Sequence, residues 1–429
     1  MDVGALRPET AIAQQPDTED HLKDPTADPP AFVRRVADRL GIGPDEKTAL
    51  GLWLLSRVGV GLLVWITVWI SVAPKSHGRA SLSLVWQHWD VIRYIGIAQN
   101  GYSLYARHGA SIAFFPGFPG ALYAVHLVLR SWVVSGLFLS FVGGVVACVA
   151  LARIIAVEAA AGDLRGAELR GANGQALVPD FVSTAVRNGL TLWLCAPAAV
   201  FLTVGYPESI FLAFALPAWL AARRGRWLTA GLLLAGATAL RIDGVFVLAA
   251  VAVLFLQTRP RGRDWLHGSA LLIALVPLAA FFTYLYSLTG SWLAWHNAEV
   301  KGWDRTFNEP LRALYNTLRY AFAGILPASE AWEYQVEILA VAVGTALLIW
   351  LLIRRRWAEA TFVGLSVGSL ATSHVYLSVP REMLLWWPLW AALGVWSARR
   401  PWVKTVVLTV STPLMFAIGF LFFTGRWAG

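Results

Sequence analysis

The sequence predicts an all-α polytopic membrane protein with about eleven transmembrane helices. Of the 429 residues, 57% are hydrophobic and only 14% are charged, a balance unlike that of soluble domains. Apolar segments recur at lengths close to the ~20 residues that a helix needs to cross a bilayer core. These segments are too long and too uniform to be the strands of a β-barrel.

The N-terminal region differs in composition from the rest of the chain. Residues 1–32 are acidic, contain prolines and are poor in apolar residues, which predicts a disordered cytoplasmic tail and not a signal peptide. Residues 33–47 predict an amphipathic juxtamembrane segment. Residues 48–429 then form a single transmembrane domain with two long outer loops, at about 74–130 and 289–333.

The spans follow from the apolar segments. We predict them at about 48–73, 131–155, 187–204, 207–222, 227–240, 243–257, 266–288, 334–353, 358–379, 383–397 and 402–424. Segment 112–130 is treated differently because it contains Pro116 and Pro119 early and His126 and Arg130 late. We predict that it is a helix lying along the membrane surface in the first outer loop.

The distribution of positive charge supports this topology. If 112–130 is not a span, every basic cluster falls on one side of the membrane, which the positive-inside rule identifies as the cytoplasm. The N-terminus then also lies in the cytoplasm. The clusters are Arg34, Arg35 and Arg39; Arg153, Arg165, Arg170 and Arg187; Arg223 to Arg226; Arg259 to Arg263; Arg354 to Arg356; and Arg399, Arg400 and Lys404.

The opposite face collects segments of another kind, which combine acids, arginines and aromatic residues. They are the two long outer loops and the turns GYPES (205–209), RIDG (241–244) and HVYLSVPRE (374–382). Functional residues concentrate in loops that a rigid scaffold holds. We therefore expect these five segments to converge on one surface.

Asp90 is the leading candidate in these loops. It follows Trp89 in the polar loop after the first span, and Tyr94 lies four residues further on. A carboxylate between aromatic side chains can act as a general base toward an acceptor hydroxyl. The alternative is structural, because Asp90 can also cap a helix or pair with Arg93.

Several short motifs resemble those of the PIG-V-type (GPI mannosyltransferase II-like) family of GT-C membrane glycosyltransferases. In this sequence they read WDVIRYIGIAQNGY (89–102), AFFPGFP (113–119), GYPESIF (205–211), RIDG (241–244), WDR (303–305) and VPRE (379–382). Pro207 stands where a serine is more usual, and Asp243 replaces an asparagine. The resemblance implies a GT-C-like fold and an inverting transferase that uses polyprenyl-phosphate mannose, with Asp90 as the catalytic base.

The same resemblance implies roles for other outer residues. The leaving phosphate needs cationic partners, and the candidates are Arg241, Arg381 and Arg305. Each has a structural alternative, such as a pair between Arg241 and Asp243 or neutralisation of Arg305 by Asp304. The candidates for binding sugar or acceptor are Trp89, Tyr94, Tyr206, Glu208, Asp243 and Trp303. Glu208 can instead complement a helix dipole.

The sequence gives little support for a cofactor. There is no glycine-rich nucleotide motif, and no histidine or acid pattern has metal-ligand spacing beyond a weak pair of His296 and Glu299. We expect no cofactor, and nothing in the sequence supports a divalent metal ion. Most tryptophans are expected at the membrane interface, and the exceptions that could stack on a sugar are Trp292, Trp295, Trp386 and Trp387.

The sequence leaves alternative functions open. A transferase of another polyprenyl-phosphate sugar, a transporter or flippase for a lipid-linked sugar, and a scaffold subunit without chemistry are all compatible with a polytopic chain. The expected partners are membrane lipids, a polyprenyl-phosphate sugar donor and a glycolipid, glycan or protein acceptor, but not nucleic acid. The alanine, arginine and tryptophan usage suggests a bacterium with GC-rich DNA, and hence its plasma membrane. The distribution of basic clusters predicts that the site is extracytoplasmic.

Overall fold

A computed structural model describes residues 43–72, 83–105, 109–163 and 178–427. Within these ranges the chain forms helices and turns and no β-strand, which confirms the predicted all-α class. The chain divides into two units, Met1–Gly43 and Pro44–Gly429. The predicted tail at 1–32 and most of the predicted juxtamembrane segment at 33–47 lie outside the described residues. Residues 44–47 form the first turn of a long helix.

The described helices are numbered here in chain order. The first eight are α1 Pro44–Thr67, α2 Asp90–Asn100, α3 Gly117–Leu129, α4 Trp132–Asp163, α5 Val178–Leu194, α6 Glu208–Arg223, α7 Trp227–Leu240 and α8 Asp243–Gln257. They are followed by α9 Asp264–Gly268, α10 Val276–Thr289, α11 Ala294–Trp303, α12 Pro310–Phe322, α13 Ala328–Ile353, α14 Trp357–Ala371, α15 Val379–Glu382, α16 Trp387–Arg399 and α17 Pro401–Phe423. A 3-10 helix, Ser269–Leu275, joins α9 to α10.

Among the described residues, five helical stretches are long and apolar enough to cross a bilayer. They are Pro44–Ser71, Trp132–Ala161, Asp264–Thr289, Ala328–Ile353 and Pro401–Phe423. The other six predicted spans overlap with α5, α6, α7, α8, α14 and α16, which are shorter. A helix of 15 residues such as α8 rises only about 22 Å. The structure therefore supports a helical membrane protein but does not confirm the count of eleven spans.

The predicted span at 187–204 differs most from the structure. The helix α5 ends before Pro197, and the chain then bends into a 3-10 helix at Ala199–Leu202. Proline has no N–H group and so cannot continue the ladder of helical hydrogen bonds. Arg57 on α1 donates a hydrogen bond to the carbonyl of Leu202 at 3.1 Å, which satisfies an oxygen at the end of this bend.

The turn that precedes α6 is fixed by close contact with α4. A Cβ atom on Gly136 would lie only 3.1 Å from the Cα of Gly205, so a side chain there would require the neighbouring backbone to move slightly. One turn further along α4, the hydroxyl of Ser140 donates to the carbonyl of Val204 at 2.6 Å. These contacts hold the start of α6, where Glu208 is the first residue.

Segment 112–130 was predicted as one helix on the membrane surface. Its α-helix begins only at Gly117 and ends at Leu129. Before it, Ala110–Ala113 forms a 3-10 turn, and Phe114 and Phe115 are buried. The helix α3 packs against α2, α4 and α7. Its orientation in a membrane remains a prediction.

Two of the basic loops lie at helix ends remote from Glu208. Glu158 near the end of α4 accepts hydrogen bonds from Arg223 at 2.6 Å and from Arg356 at 2.9 Å. Arg223 ends α6, whereas Glu208 begins it. Two predicted cytoplasmic clusters therefore meet at one end of the helices. Members of the other clusters that lie outside the described residues are Arg34, Arg35, Arg39, Arg165 and Arg170.

Candidate active site

Asp90 is the first residue of α2 and is presented by an unusual backbone. The preceding residue, Trp89, has φ 54° and ψ −123°, a conformation that costs a non-glycine residue about 1–3 kcal/mol. The backbone N–H of Asp90 donates to the hydroxyl of Tyr206 at 3.2 Å. A carboxylate at this position also complements the dipole of α2. Strain at Trp89 and the bond to Tyr206 together set where the carboxylate lies.

Arg381 connects Asp90 to the start of α6. Its Nη1 donates to Oδ2 of Asp90 at 3.0 Å, and its Nε donates to Oε1 of the fully buried Glu208. The guanidinium carbon lies 4.6 Å from the centre of the Tyr206 ring, close enough for a cation–π contact. Among the described residues, no donor contacts the other carboxylate oxygen of Asp90, Oδ1.

Arg241 is held by three carboxylates at once. It lies in the turn between α7 and α8, and it donates to Glu208 at 2.6 Å, to Asp243 at 2.6 Å and to Glu382 at 2.8 Å. Each of its three nitrogen atoms therefore has an acidic side chain as its partner. A guanidinium group has five N–H groups, so two of them stay free for another ligand.

Glu382 belongs to the same network. Burial and the charge of nearby Asp243 raise the pKa of Glu382 and Arg241 opposes both effects, which together leave this pKa at about 8. Ser366 on α14 donates its hydroxyl to Oε1 of Glu382 at 3.0 Å. Trp386 in turn donates its indole N–H to that hydroxyl at 2.8 Å. The side chain of Glu382 is thus fixed by both polar and charged neighbours.

Glu337 on α13 supports the short helix α15, which carries Arg381 and Glu382. Its two carboxyl oxygens accept the backbone N–H groups of Ser378 at 2.7 Å and Val379 at 2.8 Å. These N–H groups lie at the start of α15 and have no partner within the helix. Ser378 has φ 65°, so the backbone enters this helix through the left-handed region. A remote acid therefore caps the helix that positions Arg381.

A cavity with a volume of about 310 Å³ opens beside these groups. This volume is at the lower end of the range of about 300–1,000 Å³ for small-molecule sites. Seven of the ten residues predicted for the site line it, namely Asp90, Tyr94, Arg241, Asp243, Trp303, Arg305 and Arg381. The five outer segments therefore converge as expected, since each of them contributes at least one residue to the cavity or to its supporting network.

Three of the predicted residues do not line the cavity. Trp89 is 41% exposed, and its indole N–H donates to the carbonyl of Arg426 near the C-terminus at 2.8 Å. Tyr206 and Glu208 are buried behind Asp90 and Arg381, where they contact these two residues. Their positions make them supporting residues in this conformation.

Arg305 has a looser environment than Arg241 or Arg381. Within the part of the chain that the structure describes, its one carboxylate partner is Glu299, at 3.4 Å, and a third of its side chain is exposed. Burial raises the pKa of Glu299, and the charge of Arg305 partly opposes that change. Asp304, which the sequence suggested as the group neutralising Arg305, instead lies 3.8 Å from His374 and is largely exposed.

Aromatic side chains form much of the cavity wall. Trp303 packs edge-on against Phe114 at 5.4 Å, and Tyr94 packs against Phe114 at 4.8 Å. Trp295 also lines the cavity, as the sequence suggested for one of four tryptophans. The other three differ in position. Trp386 and Trp387 are buried in the core, and Trp292 stacks on Tyr286 at 4.5 Å outside the cavity.

Sequence reasoning missed several residues of the site. Glu382 stands beside Arg381 in the motif VPRE, and this adjacency was a usable signal. Glu337 lies within an apolar span, where a lone acid is itself a signal of function or of a buried partner. Phe307 at the cavity wall carried no signal in the sequence.

The described residues contain no group of three or more histidine, cysteine, aspartate or glutamate side chains arranged to hold a metal ion. The four carboxylates around Arg241 and Arg381 are instead linked through the two guanidinium groups. Such a site can accept hydroxyl groups at its carboxylates and donate N–H groups to an anion.

Comparison with known proteins supports the motif resemblance. Residues 76–259 match the family model of the mannosyltransferases of the PIG-V type. GPI alpha-1,6-mannosyltransferase 2 of Cricetulus griseus is 34% identical over 210 residues, which cover 47% of this chain and 36% of that protein. The chain thus spans about a third of this curated relative, and no solved structure gives a significant match. The matched segment includes Asp90, Glu208, Arg241 and Asp243, whereas Trp303, Arg305 and Arg381 lie beyond it.

Proposed function

We propose that this chain is a membrane mannosyltransferase that transfers mannose from polyprenyl-phosphate mannose to a hydroxyl group of a lipid, glycan or protein acceptor. The observation that carries the proposal is the placement of Asp90. It is the acid of the motif within the family match, it lines the cavity, and one of its oxygens is free of donors among the described residues. A base for an acceptor hydroxyl needs such an oxygen.

The proposed reaction is a single displacement. The acceptor oxygen attacks the anomeric carbon of mannose while its proton passes to Oδ1 of Asp90. The bond between the anomeric carbon and the phosphate oxygen breaks, and polyprenyl phosphate leaves with the electron pair. Arg381 holds Oδ2 of Asp90 at 3.0 Å and so keeps Oδ1 directed to one place during the transfer.

Charge builds on the departing phosphate and requires donors around it. Arg305 is the first candidate, because Glu299 is its one ion-pair partner among the described residues and its side chain is partly exposed at the cavity. Arg381 and Arg241 contribute the N–H groups that their carboxylate partners leave free. The structure thus favours a different order of importance from the sequence, since Arg241 is mainly engaged in holding three carboxylates.

The remaining cavity residues suit a sugar. Asp243 can accept hydrogen bonds from sugar hydroxyls, and the rings of Tyr94 and Trp303 provide apolar faces for the sugar ring. A phosphodiester donor brings a single negative charge into an acid-rich site. This charge is easier to accommodate there than that of a nucleotide diphosphate donor.

We further propose that the cavity opens on the extracytoplasmic side of a bacterial plasma membrane. The support is the separation of charge along α6, which begins at Glu208 and ends at Arg223. Arg223 meets Arg356 at Glu158, so basic loops gather at the end remote from the cavity. The positive-inside rule assigns such loops to the cytoplasm.

The test uses the full chain in membranes with labelled polyprenyl-phosphate mannose, followed by mass analysis of the lipid and glycan products. Asp90→Asn keeps the shape of the side chain but removes the base, and turnover is expected to fall about 100- to 10,000-fold. The matched control is Asp304→Asn, which changes an exposed acid that does not line the cavity. Asparagine tolerates the left-handed backbone of residue 304.

Two outcomes would overturn the proposal. Unchanged turnover in Asp90→Asn would remove Asp90 from the mechanism. Transfer of glucose or another hexose from the same lipid carrier, with no transfer of mannose by the unsubstituted chain, would reject the assigned donor. Expression and thermal stability of both variants, measured in detergent, show whether the fold is intact.

A further inference from the structure

The helix α12 carries an apolar stripe that is exposed in the structure. Leu311 is 80% exposed, Tyr315 59% and Phe322 67%, and Leu318 is exposed as well. At 100° per residue these four positions fall within a sector of about 60° on the helix surface. An exposed apolar stripe of this size marks a surface that contacts something other than water.

The opposite face of α12 already has a partner. Ala313, Thr317 and Ala321 are buried, and α12 packs against α13. Thr317 donates its hydroxyl to the carbonyl of Ala313 at 2.7 Å and accepts the backbone N–H of Tyr376 at 3.0 Å. The helix is therefore anchored on the transmembrane domain by small residues, and its large apolar residues point away from it.

Basic residues border the stripe on one side. Arg312 and Arg319 are both exposed, and at 100° per residue both lie on the same edge of the apolar sector. The guanidinium carbon of Arg319 lies 5.9 Å from the ring centre of Tyr315. Neither arginine forms an ion pair among the described residues. An apolar stripe with arginines along its edge is the pattern of a helix that lies in a membrane interface.

We infer that α12 is a membrane-surface helix that binds anionic lipids of the leaflet around the cavity. Its apolar stripe enters the acyl region, and Arg312 and Arg319 contact lipid phosphates. Two observations favour lipid over a protein partner. The edge is basic, which complements anionic headgroups. The helix also packs on α13, a candidate membrane span with the exposed apolar residues Leu339 and Ile349.

This placement has a consequence for the cavity. Phe307 lines the cavity, is 79% exposed and lies in the segment that leads into α12. With α12 at the lipid surface, the cavity mouth lies at the same level, where a lipid-borne substrate arrives. The lipid contact of α12 does not depend on the proposed transferase activity. Only the delivery of a lipid-borne substrate to the cavity mouth rests on the proposed function.

The experiment measures the depth of α12 in the membrane directly. An environment-sensitive fluorophore is attached to the cysteine of two separate variants of the full chain, Tyr315→Cys and Leu318→Cys. Each labelled variant is reconstituted in nanodiscs with brominated phospholipids. The unsubstituted chain, with Cys148 and Cys195, gives the labelling background. The control is Lys301→Cys, an exposed position on α11 outside the stripe.

We expect the labels at 315 and 318 to emit at shorter wavelength than the label at 301, and brominated acyl chains to quench them at least severalfold more. Arg312→Gln combined with Arg319→Gln should make this quenching insensitive to the anionic lipid content. Water-like, unquenched emission at 315 and 318 would overturn the inference. Labels shielded from both water and brominated lipid would indicate a protein partner and would overturn it too. Neither result depends on transfer activity, so a failure here is distinct from a failure of the proposed function.

Discussion

Replacing Glu337 tests whether the support of α15 sets the activity of the proposed enzyme. Glu337 does not line the cavity, but its two oxygens hold the backbone N–H groups of Ser378 and Val379 at the start of the helix that carries Arg381. Arg381 in turn holds Asp90 at 3.0 Å. Glu337→Gln keeps the volume and one acceptor oxygen, and it turns the other acceptor into a donor that faces an N–H group.

The expected magnitude follows from this change. A buried backbone N–H that loses its acceptor costs about 1–3 kcal/mol. If this free energy is lost because Arg381 is positioned less well in the transition state, kcat falls about 5- to 150-fold. The KM for the donor should change less than kcat, because Arg305 and the aromatic walls, which bind the donor in the proposed site, are untouched.

The assay compares kcat and donor KM for the unsubstituted chain, Glu337→Gln and Glu330→Gln in nanodiscs. Glu330 lies two turns earlier on α13 and is exposed, so its variant controls for a change of charge on the same helix. Thermal unfolding in detergent separates a local effect from a loss of fold. An unchanged kcat in Glu337→Gln, or an equal loss in Glu330→Gln, would refute the reasoning.

Two further predictions concern the charged groups of the cavity. Arg305→Gln should raise the donor KM about 10- to 100-fold, because one charge-assisted hydrogen bond to the phosphate contributes about 1.5–3 kcal/mol. The melting temperature should change little. An unchanged donor KM would remove Arg305 from the donor site. The pKa of Glu382 is raised from 4.5 to about 8 in the folded chain. The folded state therefore keeps a proton that the unfolded state loses, and stability should fall as pH rises from about 5 to 8. Glu382→Gln should flatten that part of the profile of melting temperature against pH, and a slope equal to that of the unsubstituted chain would contradict the assignment.

The convergence of the outer segments could be predicted because it depends on a simple property of the chain. Helices that alternate in direction bring every second loop to the same side, and the basic clusters identify the remaining side. For this reason Asp90, Arg241 and Arg381 were expected on one surface, and the structure brings them to one cavity. The interior of the cavity could not be predicted in the same way.

The partners of each charge depend on distances between remote parts of the sequence. Arg241 and Glu382 are separated by 141 positions, and Arg381 and Asp90 by 291. Hydropathy places each of these residues near a helix end but leaves its rotation and depth undefined. The sequence therefore suggested a phosphate role for Arg241, and only the packed helices showed that three carboxylates already hold it.

Trp89 illustrates the same limit on a smaller scale. Its position beside Asp90 suggested a wall of the site, but consecutive residues at the start of a helix point in different directions. The positive φ of Trp89 sends its indole to the C-terminal segment and leaves Asp90 at the cavity.

By itself the sequence determined the helical membrane class and the family resemblance, and it predicted Asp90 as the base. These features are carried by local composition and by short motifs, since burial of apolar residues acts on each segment separately. The tertiary structure decided which carboxylates hold which arginines, which aromatic rings face the cavity and how Glu337 supports α15. Such choices follow from close packing and from charge interactions that matter only within a few ångströms, and the order of residues along the chain does not encode these distances directly.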